Sequence, residues 1–382
     1  MDFELTAEHK ALQATLREFV RRSITPVARE WERSGRYPTE IVDEMKTMGL
    51  FGMLVPEEHG GIGVDAVSYA IVFEEISRGW MGIAGILGSH SLSTLLLARY
   101  GTEAQKRRWL PDLASGARRS GIALTEPGAG SDLQGIATVA RRDGDAYVVR
   151  GTKVWITNAR HADPLPVLVK TDPAAQPRHR GMSILMVEAS TPGYSVGRDM
   201  GKLGYKGTES CELTFDDARV PADALLGGVE GSGLQQALSV LEFGRINIGA
   251  RAVGVAQAAL DRSVEYAKQR HAFGKPIGEF QAIQLKLADM ATEVQAARLL
   301  VWWAAARADG GQRADAETGM AKLFASEIAI RSALAAMRIH GGYGYSTEFD
   351  IERLYRDAPL MAIGEGTNDI LRTIIARDLL RE

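Results

Sequence analysis

The 382-residue sequence contains a single cysteine, Cys211. No intrachain disulfide can form, and the expectation is a reducing compartment, the cytoplasm. No uninterrupted apolar run reaches the roughly 18–20 residues of a membrane span, so no membrane association is expected. Met1-Asp2-Phe3-Glu4 lacks a basic n-region and an apolar h-region, so no signal peptide is expected. Charge is close to balanced, with 45 Lys and Arg against 48 Asp and Glu, a net of −3. Without a long basic run there is no electrostatic footprint for nucleic acid. The seven histidines are scattered, no pair has ligand spacing, and one thiol cannot build a thiolate site, so no metal is expected. Also missing are a G-x-S-x-G elbow, a P-loop and a G-x-G-x-x-G turn joining strand to helix. Serine hydrolase, metalloenzyme and Rossmann-type readings therefore have no support. Repeats and low-complexity tracts are absent too.

What is present reads as an ordinary globular chain, 45% apolar and 24% charged, long enough for two or three domains. Residues 1–118 carry helical signals. Thr6 can cap a helix bearing Leu12, Leu16, Phe19 and Val20. Thr39 can cap a short one ending at Gly49. Asp65 opens another, with Tyr69, Val72, Phe73 and Ile76 on one face and Gly79 closing it. Thr102-Glu103-Ala104-Gln105 is a capping box. From 119 the period changes to two. Strands are expected at 136–141, 146–150, 153–157, 166–170, 182–187 and 211–215, with Asp143-Gly144 as a hairpin turn. The segment 119–228 reads as a compact antiparallel β domain. Gly227, Gly228, Gly231 and Gly233 mark the next boundary. Residues 229–382 then carry four helical stretches, 234–268, 282–308, 318–339 and 370–380, which imply an antiparallel four-helix bundle.

Four stretches carry chemistry. Thr125-Glu126-Pro127-Gly128-Ala129-Gly130-Ser131-Asp132 is a Gly-rich loop with free N–H groups and hydroxyls, suited to a phosphate or a polar ring. Taken alone it is equally a tight turn. Lys153-Val154-Trp155-Ile156-Thr157-Asn158 places Trp155 and Thr157 two apart on one strand face, beside which a flat heteroaromatic could lie. Arg270-His271-Ala272-Phe273-Gly274-Lys275-Pro276 and Arg338-Ile339-His340-Gly341-Gly342-Tyr343-Gly344 are helix-end turns with basic groups. An anion or an adenine could dock there, although Gly is also an ordinary helix C-cap. Last comes Ile363-Gly364-Glu365-Gly366-Thr367-Asn368-Asp369. Here one carboxylate stands between two glycines before a helix that Thr367 or Asn368 can cap.

In this order, T-E-P-G-A-G-S-D, K-V-W-I-T-N, R-x-x-F-G-K-P, G-G-Y-G-Y and E-G-T-N resemble the acyl-CoA dehydrogenase family along the whole chain. The resemblance implies an N-terminal helical domain, a middle β-barrel-like domain and a C-terminal four-helix bundle. It also implies FAD. Ile122, Leu124, Thr125, Gly130, Ser131, Trp155 and Thr157 would face the flavin, and Thr367 and Asp369 would touch FAD near the base. Arg270, Phe273, Gln281, Arg338, Gly341 and Gly342 would contact the FAD of a neighbouring subunit, which implies a homo-oligomer, a dimer of dimers. Ser131, Glu242, Arg245, Gly366 and Arg377 match positions that contact acyl-CoA.

The implied reaction is α,β-desaturation of an acyl thioester. Glu365 would take the α-proton, the β-hydrogen would leave as hydride to the flavin, and an electron-transfer flavoprotein would receive the electrons. Some relatives carry the base one residue before the Arg that matches Arg245. Here that position is Gly244, which leaves Glu365 as the candidate in either place. Many relatives have Tyr where this chain has Gly364, a change that would widen the acyl pocket. Two alternatives share the fold: a dehydrogenase of acyl carrier protein thioesters, and an oxygen-using acyl-CoA oxidase, although oxidases usually run on well past a length such as this. A non-catalytic helical or nucleic-acid-binding relative is the alternative from another class. The intact Glu365 and the mild negative charge oppose it.

Overall fold

Each turn of the chain toward the site begins at a capped helix. The computed structural model describes residues 4–310 and 313–380, so Met1-Asp2-Phe3 of the sequence reading lies outside it. Thr6 Oγ1 accepts the His9 N–H and starts α1 (Ala7–Phe19), followed by α2 (Ala28–Ser34). In α3 (Thr39–Thr47) the cap position falls on Pro38 and Thr39 is already helical, one residue away from the cap expected of it. Proline, with no N–H to lose, is tolerated at such a start. Asp65 accepts the Ser68 N–H and starts α4 (Ala66–Tyr100), and Thr102 with Gln105 closes the capping box of α5 (Glu103–Ser115).

Gly79 ends the first of two helical segments that together make up α4, as expected. The backbone leaves helical geometry at Trp80 (φ −158°, ψ 106°), and a second helical segment follows. At the break the buried indole donates to the Lys206 carbonyl at 3.0 Å, which fixes the junction beneath the β domain. By length and composition α4 could cross a membrane. Its most apolar window is 89% buried inside the protein, as expected of a central core helix.

The middle region is one six-stranded sheet, built from β1 (Val139–Asp143), β2 (Ala146–Thr157), β3 (Leu165–Lys170), β4 (Met182–Val187), β5 (Tyr194–Asp199) and β6 (Ser210–Pro221), in the order β4-β3-β1-β2-β6-β5. Every ladder is antiparallel except β1–β3, which is parallel and meets at Val139 and Lys170. The two short strands expected at 146–150 and 153–157 are one strand, because β6 pairs along both halves with shifts of register near Gly151 and near Trp155. β5 lacked a sequence signal: it is mostly exposed on both faces, so no apolar alternation marks it.

Beyond the glycines, α6 (Gly233–Gln269), α7 (Gln281–Asp309) and α8 (Asp315–His340) form the bundle with α10 (Asn368–Leu379). A two-residue hairpin, β7 (His271–Ala272) and β8 (Lys275–Pro276), links α6 to α7. The sequence reading passed over α9 (Ile351–Ile363), whose interior Pro359 broke the pattern. It packs on α8 and α6 and delivers the chain to Glu365.

Candidate active site

Glu365 occupies the turn between α9 and α10. Its own φ is 57°, the left-handed region that non-glycine residues seldom adopt, and Gly366 follows with φ 89°. Such backbone costs on the order of 1 kcal/mol or more and persists where the surroundings enforce it, as at functional sites. Here the enforcement is visible. Lys322 on α8 is fully buried, and its ammonium donates to the Gly366 carbonyl at 2.7 Å and to Asn368 Oδ1 at 3.1 Å. Thr367 caps α10, its Oγ1 accepting the Ile370 N–H. Lys322 was missed by sequence reasoning. Its signal was a lysine on an otherwise alanine-lined helix face with Ala321 and Ala325.

The turn aims the carboxylate inward. Glu365 Oε2 is buried without a hydrogen-bond partner. Burial pushes its pKa up, against the opposing charges of Arg251, Lys322 and Arg245. The carboxylate faces α6 at Gly244, where an added Cβ would lie 2.4 Å from Oε2. A half-buried carboxylate whose inward oxygen is unpaired and whose pKa is raised is poised to accept a proton. Gly364, on the outer side, has open space: a Cβ there would meet nothing nearer than the Leu360 carbonyl at 3.6 Å.

The Gly-rich loop and the Trp strand are joined from below. Lys153 is wholly buried, and its ammonium donates to Glu126 Oε1 at 2.8 Å and to the Leu124 carbonyl at 3.0 Å. Glu126 in turn accepts the N–H groups of Ala137 (2.5 Å) and Thr138 (3.0 Å). Asn158 donates to the carbonyls of Ile86 (2.8 Å) and Ser120 (3.0 Å), which ties the strand to α4. Half of each motif is therefore scaffold. Above it, Trp155 (φ 63°) sits at the β2 bulge with 52% of its surface exposed, and Thr157 is partly open, while Val154 and Ile156 between and before them are buried. Leu124 is buried, Ile122 and Thr125 are partly open, and Gly130 and Ser131 are exposed on the same loop. Burial pulls the Lys153 pKa down to about 8, while the lysine beside it holds Glu126 below its ordinary value. Lys153→Met leaves that carboxylate buried with only backbone donors, and removing one partner of such a pair costs about 3–5 kcal/mol. Urea denaturation is expected to show the loss, and a midpoint within error of wild type would refute the anchoring role.

The two helix-end turns, far apart in sequence, meet in one pocket of about 490 Å³ lined by Tyr266, Arg270, Ile277, His340, Gly341 and Gly342 among others. Tyr266 and His340 stack at 4.2 Å along its wall. Phe273 (φ 51°) is 96% exposed on the β7–β8 turn, and Gln281 and Arg338 are exposed nearby in the chain.

A second groove, of about 750 Å³, opens between the end of α4 and the start of α6, with Arg99, His179, Glu242, Arg313 and Asp315 along it. Glu242 and Arg245 do not pair with each other. Arg245 forms a 2.7 Å ion pair with Asp315, and Glu242 accepts the Ala314 N–H. Gln134, close to Ser131 in sequence, lines the groove, whereas Ser131 itself does not. Arg377 and Asp369 are exposed on α10, and Asp369 is engaged by Arg372 at 2.9 Å. Ser131, Arg377 and Asp369 are not drawn to the carboxylate by any contact among the described residues.

Comparison with known proteins covers all three regions. Family models match for the acyl-CoA dehydrogenase N-terminal domain over residues 6–117, the middle domain over 121–218 and the C-terminal domain over 231–380. A probable acyl-CoA dehydrogenase of Bacillus subtilis (strain 168) is 44% identical over 383 residues, spanning 100% of both chains. The structure of the glutaryl-coenzyme A dehydrogenase glutaryl-CoA complex superposes with a TM-score of 0.95 at 40% identity, covering 100% of this chain and 97% of that one. A chain in the structure of the electron transferring flavoprotein of Acidaminococcus fermentans, solved toward a mechanism of flavin-based electron bifurcation, gives a TM-score of 0.97 at 37% identity, with 100% of both chains covered.

Proposed function

The chain belongs to the acyl-CoA dehydrogenase family, and from that premise we propose that Glu365 is the base that takes the α-proton of the thioester. The protein is an FAD-dependent oxidoreductase that introduces an α,β double bond into acyl-CoA. The observation that carries the role of Glu365 is its buried, partnerless Oε2 facing Gly244, a helix position where a side chain would crowd it out.

The residues present fit the cofactor. A half-exposed Trp155 ring beside a Gly-rich loop offers a flat apolar wall and free N–H groups, and Gly341 and Gly342 leave their surroundings open, since a Cβ at either would meet nothing within 4 Å. Ile122, Leu124, Thr125, Gly130, Ser131, Trp155, Thr157, Thr367 and Asp369 would hold one FAD. Arg270, Phe273, Gln281, Arg338, Gly341 and Gly342 would hold part of a neighbouring subunit's. When bound, FAD supplies the acceptor for the hydrogen leaving the β-carbon.

The chain's own residues have three tasks. Lys322 and Thr367 fix the turn so that Glu365 points at the α-carbon. The mouth groove, with Arg99, Arg313 and His179, suits the phosphates of CoA. Burial excludes water and raises the basicity of Glu365, so that proton removal from a weak carbon acid comes within reach. The base works only when ionised. Activity therefore rises with pH through the raised pKa of Glu365 and is lost below it. The acid limb of kcat/KM should lie above the ordinary Glu value of about 4.3. A limb at or below that value would count against Glu365 as the group that titrates.

The finer assignments follow from the same reading. The fully exposed Phe273 and the exposed Leu285, Trp303 and Phe324 favour burial against sister subunits as a dimer of dimers. An electron-transfer flavoprotein is the acceptor, supported by the likeness to the Acidaminococcus chain. The protein works in cytoplasmic fatty acid metabolism, in keeping with its one buried, unpaired Cys211. Domain limits of 1–118, 119–228 and 229–382 fit the element boundaries, since α5 ends at Ser115 and α6 begins at Gly233.

A further inference from the structure

Helices α4 and α6 face each other across a narrow seam that starts at Glu365. At its first level Gly244 meets Glu365 and Leu92, the latter 3.3 Å from where a Cβ would stand. At the next, Asn247 Nδ2 presses on Gly88, 2.3 Å from its missing Cβ. At the third, the Arg251 guanidinium donates to Met81 Sδ at 2.7 Å and lies 5.0 Å from the centre of the Tyr205 ring. Past that the seam closes, because a Cβ at Gly254 would sit 2.2 Å from the Glu74 carbonyl. Residues 244, 247 and 251 follow the i, i+3, i+7 spacing of one helix face. Arg251 is thus about 10 Å of helix rise beyond Gly244, with its side chain leaning back toward it.

An apolar acyl chain would ask for an apolar seam. This one is polar and unsatisfied. Tyr69 Oη, Ser91 Oγ, Asn247 Oδ1 and Arg251 Nε are all buried without hydrogen-bond partners, as is Glu365 Oε2. Tyr69 has the Ser91 and Asn247 side chains beside its hydroxyl and lies within electrostatic reach of Arg251 and Glu365, with no contact among them that closes into a well-formed hydrogen bond. The described chain has three buried arginines, Arg245, Arg251 and Arg353. Arg245 pairs with Asp315 and Arg353 with Asp350, while Arg251 has no carboxylate within ion-pair distance among the described residues. A guanidinium held in the interior without a counter-charge is destabilising, and a ligand of opposite charge would offset that on binding.

We propose that Arg251, with Asn247, Tyr69 and Ser91, seats a carboxylate at the far end of the acyl group, so that the substrate is the CoA mono-thioester of a short dicarboxylic acid. The inference rests on the dehydrogenase reading and adds the chemical class of its acyl group. The glycine at position 364 removes bulk from the entrance; the charge at the bottom of the seam sets the preference.

Pairs of thioesters of equal chain length test it on the FAD-loaded enzyme: succinyl-CoA against butyryl-CoA, glutaryl-CoA against pentanoyl-CoA, and adipoyl-CoA against hexanoyl-CoA, with an artificial electron acceptor. In at least one pair kcat/KM should favour the carboxylate about 100-fold or more, because a buried donor set left unpaired rejects the methyl-ended analogue. Arg251→Gln should reduce that preference at least about tenfold. Turnover of the methyl-ended thioesters with equal or lower activity on every carboxylate overturns the seat and spares the dehydrogenase reading; inertness toward all six overturns both. An Arg251→Gln protein that keeps the wild-type preference also overturns it, and should that variant fail to fold, the wild-type pairs decide alone.

Discussion

Glu365→Gln is expected to fold, to stay yellow with bound FAD, and to lose steady-state turnover of its best acyl-CoA by about 10³-fold or more. The fall is what removal of a positioned base produces when no second base is in reach. No such base is in place here: Gly244 has no side chain, and Glu242 is committed to the Ala314 N–H. Folding should not suffer. Glu365 Oε2 makes no hydrogen bond that an amide would forfeit. The sign of the pH linkage points the same way. Burial raises the pKa of Glu365 above its unfolded value, so keeping the group ionised costs the native state stability once the pH exceeds the unfolded pKa. Ionised Glu365 therefore weakens the fold, and the neutral amide removes that cost. The thermal midpoint of the variant should equal or exceed that of the wild type, a stability gain traded for function. Near-normal turnover in a correctly folded, FAD-bound variant would remove Glu365 from the mechanism.

The contrast between what the sequence disclosed and what it concealed follows from the physics of each signal. The order helix, sheet, helix was legible because period-3.6 and period-2 patterns extend over long segments, as in α6 and β4. Glu365 became a candidate only when the distant Gly-rich, Trp and helix-end stretches and Gly244 were read together with it; two glycines and a following cap alone describe an ordinary turn. Boundaries failed where a tertiary contact overrides a local one: β6 pairs along both halves of 146–157 and makes them one strand. Gly79 did mark the end of a helical segment, with the break at Trp80, whose indole reaches Lys206. α9 was hidden by Pro359 and β5 by exposure on both faces. The supporting cast was hidden for a deeper reason. Lys153, Lys322 and Arg251 act through burial, and a lysine or arginine in a sequence is by default a surface residue. Only the packing shows that one anchors the Gly-rich loop, one clamps the turn and one has no carboxylate partner among the described residues.

Gly244→Ala is expected to reduce kcat about 100-fold while leaving FAD binding intact. A methyl at this position would stand 2.4 Å from Glu365 Oε2 and 3.3 Å from Leu92 Cδ1, inside the contact distance of the first. α6 cannot yield, since Gly254 two to three turns on already touches the α4 backbone. The turn cannot yield freely either, because Lys322 holds Gly366 and Asn368. The carboxylate must rotate away, and a displacement of about 1 Å at the reacting centre is enough for a loss of that order. The same closeness makes a converse expectation. A carboxylate brought in from α6 reaches the point that Glu365 now occupies, provided Glu365 is removed. Gly244→Glu alone should be inactive, because two carboxylates cannot share the space and like charges oppose each other. Gly244→Glu combined with Glu365→Gly should recover at least tenfold over Glu365→Gly alone. Equal activity of Gly244→Ala and wild type would show that the carboxylate works from somewhere other than the face of α6. Failure of the double variant to recover, with Gly244→Ala impaired, would show that the space is shared but the direction of approach is not.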